Sequence, residues 1–281
     1  MREAARLAPT FKAQDAANTL WALAKLGVSD AGLVRPLAEA AVRLAPTFNA
    51  QGTANTLWAL AALGVSDAGL TRPLAEAAVR LAPTFNAQEA ANTLWAAASL
   101  GLREASLVAS FITAVARHSH GFALDAASSV LQAHYAGLSV GAGCLADCWR
   151  VLRAAPRPPT ASHLQTEVAT VLRSMGLCVE LEVPILEGLR CIDIVVTAPS
   201  GNRVAVEVDG PSHFFELPQL GAAPRWQPRP TLLRDCHTAA AGYTARATIP
   251  FFAWNLCKSV EEQRQFLEKE LDQAFVRVGL A

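Results

Sequence analysis

Three carboxylates and a histidine crowd a short apolar stretch of this chain. Asp193 interrupts Ile192–Ile194, Glu207 and Asp209 flank Val208, and His213 follows the turn Gly210-Pro211. Residues two apart on a strand share a face, so Glu207 and Asp209 point the same way. Carboxylates in an apolar strand are costly unless a cation or hydrogen bonds balance them. Two arrangements meet that need. Either Asp193, Glu207, Asp209 and His213 converge on one site, where a hard divalent cation takes oxygen ligands in a nuclease or which is vestigial or contacts RNA, or the carboxylates cap strand ends and bond to backbone or to Arg234. The cysteines offer less. Cys144 and Cys148 are four apart and none of the six shows the CxxC spacing of a zinc site, so they read as reduced core thiols.

These residues need strands to hold them. After the proline-rich break Ala155-Pro-Arg-Pro-Pro159, the pattern predicts a helix over His163–Met175 and strands over Leu177–Ile185, Cys191–Thr197 and Val204–Val208. A helix over Leu232–Ala241, a strand over Ala247–Phe252 and a helix over Glu261–Val276 complete an αβββαβα order.

The first half is repetitive. Trp21, Trp58 and Trp95 are 37 residues apart, as are Asn18, Asn55 and Asn92, and Gly27, Gly64 and Gly101. LAPTF recurs at Leu7, Leu44 and Leu81, and ANTLWA at Ala17, Ala54 and Ala91. Each unit reads as two helices. In the first unit one runs from Ala13 to Leu26 and ends at Gly27, and the other follows Ser29-Asp30 to Leu44 with Pro36 in its first turns. The three tryptophans read as core residues packing unit on unit, with base stacking as the alternative. Asn18, Asn55 and Asn92 are either buried hydrogen-bond ladders or base readers. Three columns vary between units, as a one-base-per-repeat code requires: Lys12, Asn49, Asn86; Asp15, Gly52, Glu89; and Lys25, Ala62, Ser99. A degenerate fourth unit matches Phe122 to Phe85 and, after a one-residue deletion, puts Leu131 in place of the tryptophan and Ser128 in place of the asparagine, as a solenoid cap. Since Arg6 to Phe11 is already the tail of a unit, a fragment or missing upstream repeats are expected. The resulting division is an array over 1–154, with units over about 13–49, 50–86 and 87–122 and a cap over 123–154, then a linker over 155–162 and an α/β domain over 163–281.

Lys+Arg and Asp+Glu both number 24, so the net charge is zero and no overall basic footprint marks a nucleic-acid binder. Phosphate contact would need a local patch. Arg35, Arg43, Arg72 and Arg80 are the candidates, an exposed salt-bridge ladder with Glu39 being the other reading. No apolar run reaches 18 residues, so no membrane span is expected; Ala105–Ala116 is too short.

The units, on Ala16 to Gly27 (AANTLWALAKLG) and its two copies, resemble the octotricopeptide repeats of algal organelle proteins and the related FAST-kinase-like 37-residue repeats found beside RAP domains. The second half resembles the RAP domain over about 163–275. The matching residues are Ile192-Asp193, Val204 to Phe214 with its EVDGPSH core, Leu232-Leu-Arg-Asp235, Gly242 and Ile249 to Asn255. That domain is similar in pattern to the restriction-endonuclease-like fold, in which an Asp and a Glu-x-Lys pair hold Mg²⁺. The resemblance implies Asp193 and Glu207 as metal ligands, Asp209 where lysine is usual, and His213 as a substitute base. Ala253 departs from a common Glu. The resemblance implies an RNA-binding protein of a mitochondrion or chloroplast that acts on organellar mRNA or rRNA in processing, stability or translation. A magnesium-dependent RNA endonuclease and a helical protein-binding scaffold are the alternatives.

Overall fold

The computed structural model describes residues 2–154, 161–198, 200–211, 214–217, 225–228 and 232–276. They fall into two compact units, 1–156 with 215–233, and 157–214 with 234–281.

The first unit is a stack of helical pairs. A short helix α1 (Arg2–Leu7) precedes α2 (Ala13–Leu26), α3 (Ala31–Leu44), α4 (Ala50–Ala62), α5 (Ala68–Leu81), α6 (Ala87–Ser99), α7 (Ala105–Ala116), α8 (Leu124–Tyr135) and α9 (Ala142–Arg153). The first helices α2, α4, α6 and α8 pack side by side in one layer, and α3, α5 and α7 form the other. Leu20, Leu57, Leu94 and Leu131 form a buried column through the first layer, among alanines small enough to let the helices approach closely.

Local chemistry places the helix ends. Gly27, Gly64 and Gly101 take positive φ of 69°, 74° and 70°. The next amide in each case reaches back, Val28 N to Leu23 O at 2.9 Å for one, closing a Schellman turn. Asp30 caps α3 by accepting from Leu33 N at 3.0 Å. Pro36 is the sixth residue of α3, one turn deeper than expected, and the helix continues through it. At the start of α6, Asn86 Oδ1 accepts from Glu89 N and Glu89 Oε2 from Asn86 N, both at 2.9 Å. Asn86→Ala is therefore expected to cost about 1 kcal/mol, read as a lowered urea midpoint at unchanged slope.

The fourth pair corrects the expected register. Its α8 starts 37 residues after α6, and Leu131 lies 0% exposed in the leucine column. Gln132 therefore stands where the tryptophan would, and Ser129 where the asparagine would. The one-residue deletion falls at the helix's C-terminal end, where Gly137 takes φ 98°.

In the second unit, α10 (His163–Ser174) is followed by β1 (Cys178–Ile185), β2 (Arg190–Thr197) and β3 (Arg203–Asp209). Next along the chain, and from residue 215 on grouped with the first unit, is a hairpin of β4 (Phe214–Leu217) and β5 (Arg225–Pro228), absent from the sequence reading. Then follow α11 (Leu232–Ala240), β6 (Ala245–Pro250), the short α12 (Phe251–Trp254) and α13 (Val260–Val276). The sheet order is β1-β2-β3-β6, antiparallel except for β3 with β6. That parallel pair requires the crossover that α11 supplies. Helices α10 and α13 bury Val168, Leu172, Leu267 and Leu271 against Ile194, Val206 and Ile249 of the sheet. The chain thus combines helical repeats with an α/β unit built on a mixed four-stranded sheet.

No helix among the described residues is long and apolar enough to cross a membrane.

Candidate functional site

Two regions hold the residues singled out by the sequence. At the ends of β2 and β3, the strand ladder stops at Ile194 with Val206. Beyond it, on the β2 side, Asp193 Oδ2 accepts from the amide of Val208 at 2.7 Å. Asp193 lies mid-strand in β2, as its fourth residue, rather than at its end. Asp209, 4% exposed, is gripped by Arg234 at 2.5 and 3.2 Å. Glu207 shares its face, with Arg234 Nη1 at 4.0 Å.

Burial pushes the Glu207 carboxyl up to about 7, helped by the charges of Asp193 and Asp209 and opposed by Arg234 and Arg190. Glu182 is pushed up as well, by burial and then by Asp193. It bulges out of the β1 ladder at φ 50°. Neither Glu182 nor Arg190 was singled out in the sequence. Their signal was the pair of charged residues Glu182 and Arg190 bracketing the turn between apolar strands.

These partners match the arrangement in which the carboxylates bond to backbone and to Arg234. The positive charge beside Asp209 is a guanidinium. No group of three His, Cys, Asp or Glu placed to hold a metal is found among the described residues. With Asp193 on a backbone amide and Arg234 beside Asp209 and Glu207, these side chains do not fit a magnesium centre on Asp193 and Glu207. His213 lies outside the described residues. The cluster favours the protonated form of Glu207 and ties β2, β3 and α11 together.

In the repeat unit, the arginines are drawn into the fold. Arg43 Nη2 donates to Ala8 O at 3.2 Å and Pro9 O at 3.0 Å, Arg80 to Ala45 O at 3.5 Å, and Arg117 to Ala82 O. This 37-residue series clamps each unit to the one before. Arg35 and Arg72 pair with Glu39 at 3.0 Å and Glu76 at 3.3 Å. Of the four arginines expected to meet phosphate, Arg43 and Arg80 thus bond to backbone carbonyls, and Arg35 and Arg72 make exposed ion pairs, Arg35 with Asp67 as well at 3.5 Å.

Two of the variable columns are helix starts. Asn49 and Asn86 cap α4 and α6 by accepting from Gly52 N at 2.7 Å and Glu89 N at 2.9 Å. Lys12 lacks a capping oxygen, and Asp15 compensates by accepting from Lys12 N at 3.0 Å. Variation in these columns therefore has a capping cause.

The tryptophans also differ from expectation. Trp21 is 41% exposed, and Trp58 and Trp95 are half-buried. The leucine preceding each fills the core, which turns the indole to the helix's outer side. Trp58 and Trp95 touch at 6.2 Å between centroids. Lys25 Nζ lies 5.5 Å from the Trp21 ring and 4.8 Å from the Trp58 ring. Trp95 Nε1 donates to Gln132 Oε1 at 3.2 Å. Trp58→Ala should therefore cost less than the roughly 3–5 kcal/mol of a fully buried aromatic.

Asn18 is exposed, and Asn55 and Asn92 are half-buried. Asn92 Oδ1 accepts from Gln88 Nε2 at 2.8 Å within its own helix, not from a neighbouring unit. In α2, α4 and α6 the outward stripe thus runs Gln, Asn, Trp, exposed throughout in α2, where Lys25 closes it, and half-buried at Asn and Trp in α4 and α6. Between α2 and α4 it borders a cleft of about 260 Å³, lined by Gln14, Asn18, Asn49, Gln51, Gly52 and Asn55 among others. An added Cβ at Gly52 would lie 2.8 Å from Phe48 Cδ1, so a side chain here would press on the Phe48 ring that also lines the cleft.

A helical-repeat array that presents amides, indoles and a lysine along one layer belongs to the class of repeat proteins with an extended binding face. Residues 2–125 match the family described as RNA-editing substrate-binding complex 6 protein. The matched segment takes in α1 to α7 and the start of α8. No curated protein matches the chain.

Proposed function

We propose that this chain is an organellar RNA-binding protein whose first-helix layer grips single-stranded mRNA or rRNA in processing, stability or translation. The observation that carries this reading is the family match over residues 2–125, a family whose description names an RNA-editing substrate-binding complex. It falls on the segment whose outward stripe carries the exposed Gln14, Asn18, Trp21 and Lys25 and the Gln, Asn and Trp counterparts in α4 and α6. Amides hydrogen-bond base edges and indoles stack on bases, which is how unpaired RNA is recognised. In this reading residues 1–154 form the array, 155–162 the linker and 163–281 a RAP-like α/β domain of the endonuclease-like kind that adds contacts. The organelle is the mitochondrion.

The test is incubation of the pure chain with labelled single-stranded RNA, with and without Mg²⁺, at several salt concentrations. A salt-dependent shift is expected, with a log–log slope of about 0.7 per phosphate contact. A binding curve identical at low and high salt contradicts phosphate contact. Magnesium-dependent cutting would move the function to the endonuclease reading.

A further inference from the structure

We infer that the gap between Trp21 and Trp58, filled by the Lys25 side chain, is a slot for one RNA base, and that Lys25 leaves it for a phosphate when the base enters. The inference rests on the RNA-binding reading and specifies where and how it acts. A single ammonium faces two indoles, at 5.5 and 4.8 Å. Such a cation is exchangeable for a base, since both are attracted to an indole face. Lys25 is exposed on α2, so its stem is free to swing outward. The amide-lined cleft beside Asn18 and Asn55 lies one turn away along the same two helices, within reach of the edge of a base held between the rings.

The slot is specific to this step of the array. At the next step Ala62 stands in the place of Lys25, Trp58 and Trp95 meet directly at 6.2 Å, and Glu89 stands in the place of Gly52. One step further, Gln132 replaces the indole and bonds to Trp95. The occupant is a nucleotide of single-stranded RNA rather than a protein segment. The site offers a cation, two π faces and paired amides, but Leu23, Leu57 and Leu60 beneath it are buried and offer no apolar anchor pocket.

The test is a titration of the full chain with a short random-sequence single-stranded RNA, followed by anisotropy of the labelled RNA and quenching of tryptophan fluorescence. The variants are Trp21→Ala, Trp21→Phe and Lys25→Met. Trp21 is an exposed residue, so its removal spares the core. Trp21→Ala should bind about 5- to 150-fold more weakly, the range that one stacked base contributes, while Trp21→Phe keeps most of the affinity. Lys25→Met should lower the log–log salt slope by about 0.7. If the unaltered chain binds RNA and Trp21→Ala binds it equally well, the slot is overturned and the RNA-binding reading stands. If the unaltered chain binds no RNA, both fall. If it instead self-associates and Trp21→Ala abolishes that, the face is a protein contact and the slot is again overturned.

Discussion

Arg234→Met should destabilise the α/β unit by about 3–5 kcal/mol at pH 7, the cost of leaving a buried charge without its partner. Asp209 is 4% exposed and both its oxygens are held by Arg234. Methionine fills much of the arginine's volume, so the loss comes from the stranded carboxylate and not from a cavity. Glu207, 4.0 Å from the same guanidinium, loses an opposing charge as well. Amide hydrogen exchange of the Arg203–Asp209 strand should report the change, since the cluster ties that strand to α11. Adding Asp209→Asn should recover most of the loss, because the pair is then removed together. A loss below about 1 kcal/mol would mean that water reaches Asp209 and that the ion pair is a surface one.

The same cluster shows what was legible in the residues and what was not. Adjacent strands carrying Asp193 and Glu207 followed from the αβββαβα pattern, and the structure pairs β2 with β3. Whether the carboxylates met a metal or a guanidinium did not follow, because Arg234 is 25 residues beyond Asp209 and only the crossover helix brings it back. The hairpin β4–β5 was missed for a simpler reason: four-residue strands such as Phe214–Leu217 carry too short an alternation to stand out.

In the array, the period placed α2 and α3 to the residue. It misled on Trp21, Trp58 and Trp95. An invariant aromatic beside an apolar stripe reads as core, yet adjacent helical residues point about 100° apart, and Leu20, Leu57 and Leu94 had already taken the inward direction. In the fourth unit, Gly137 is one residue early against the 37-residue step and tempts a deletion before Asp125. The unbroken leucine column places it after α8. The variable columns misled in the other direction. Lys12 with Asp15, and Asn86 with Glu89, vary as matched capping pairs, so difference between units did not by itself mark a reading surface.

Stability should also fall as pH rises from 5 to 8, and Glu207→Gln should remove most of that fall. The Glu207 carboxyl sits at about 7 in the folded chain against an ordinary 4.5, chiefly through burial and then through Asp193. A raised carboxylate means that the folded chain keeps a proton the unfolded chain has released. The contribution is therefore most favourable below about 4.5 and is lost as pH climbs through about 7. At 1.36 kcal/mol per pH unit of separation the whole swing is about 3 kcal/mol. Glu182, raised in the same direction, adds a smaller slope that the variant retains. The raised Glu207 also explains how three carboxylates share this corner with two arginines, since near neutrality one carries a proton for much of the time. Glutamine reproduces the protonated shape and never ionises, so the variant should exceed the native chain slightly at pH 5 and by much more at pH 8. Urea unfolding of both proteins at the two pH values gives the difference directly. Histidines such as His134, whose burial lowers its pKa, titrate in both chains and cancel. A variant less stable than the native chain at pH 8 would show that Glu207 is held ionised by Arg234 and Arg190, and that the balance of charge at the strand ends is opposite to the one described.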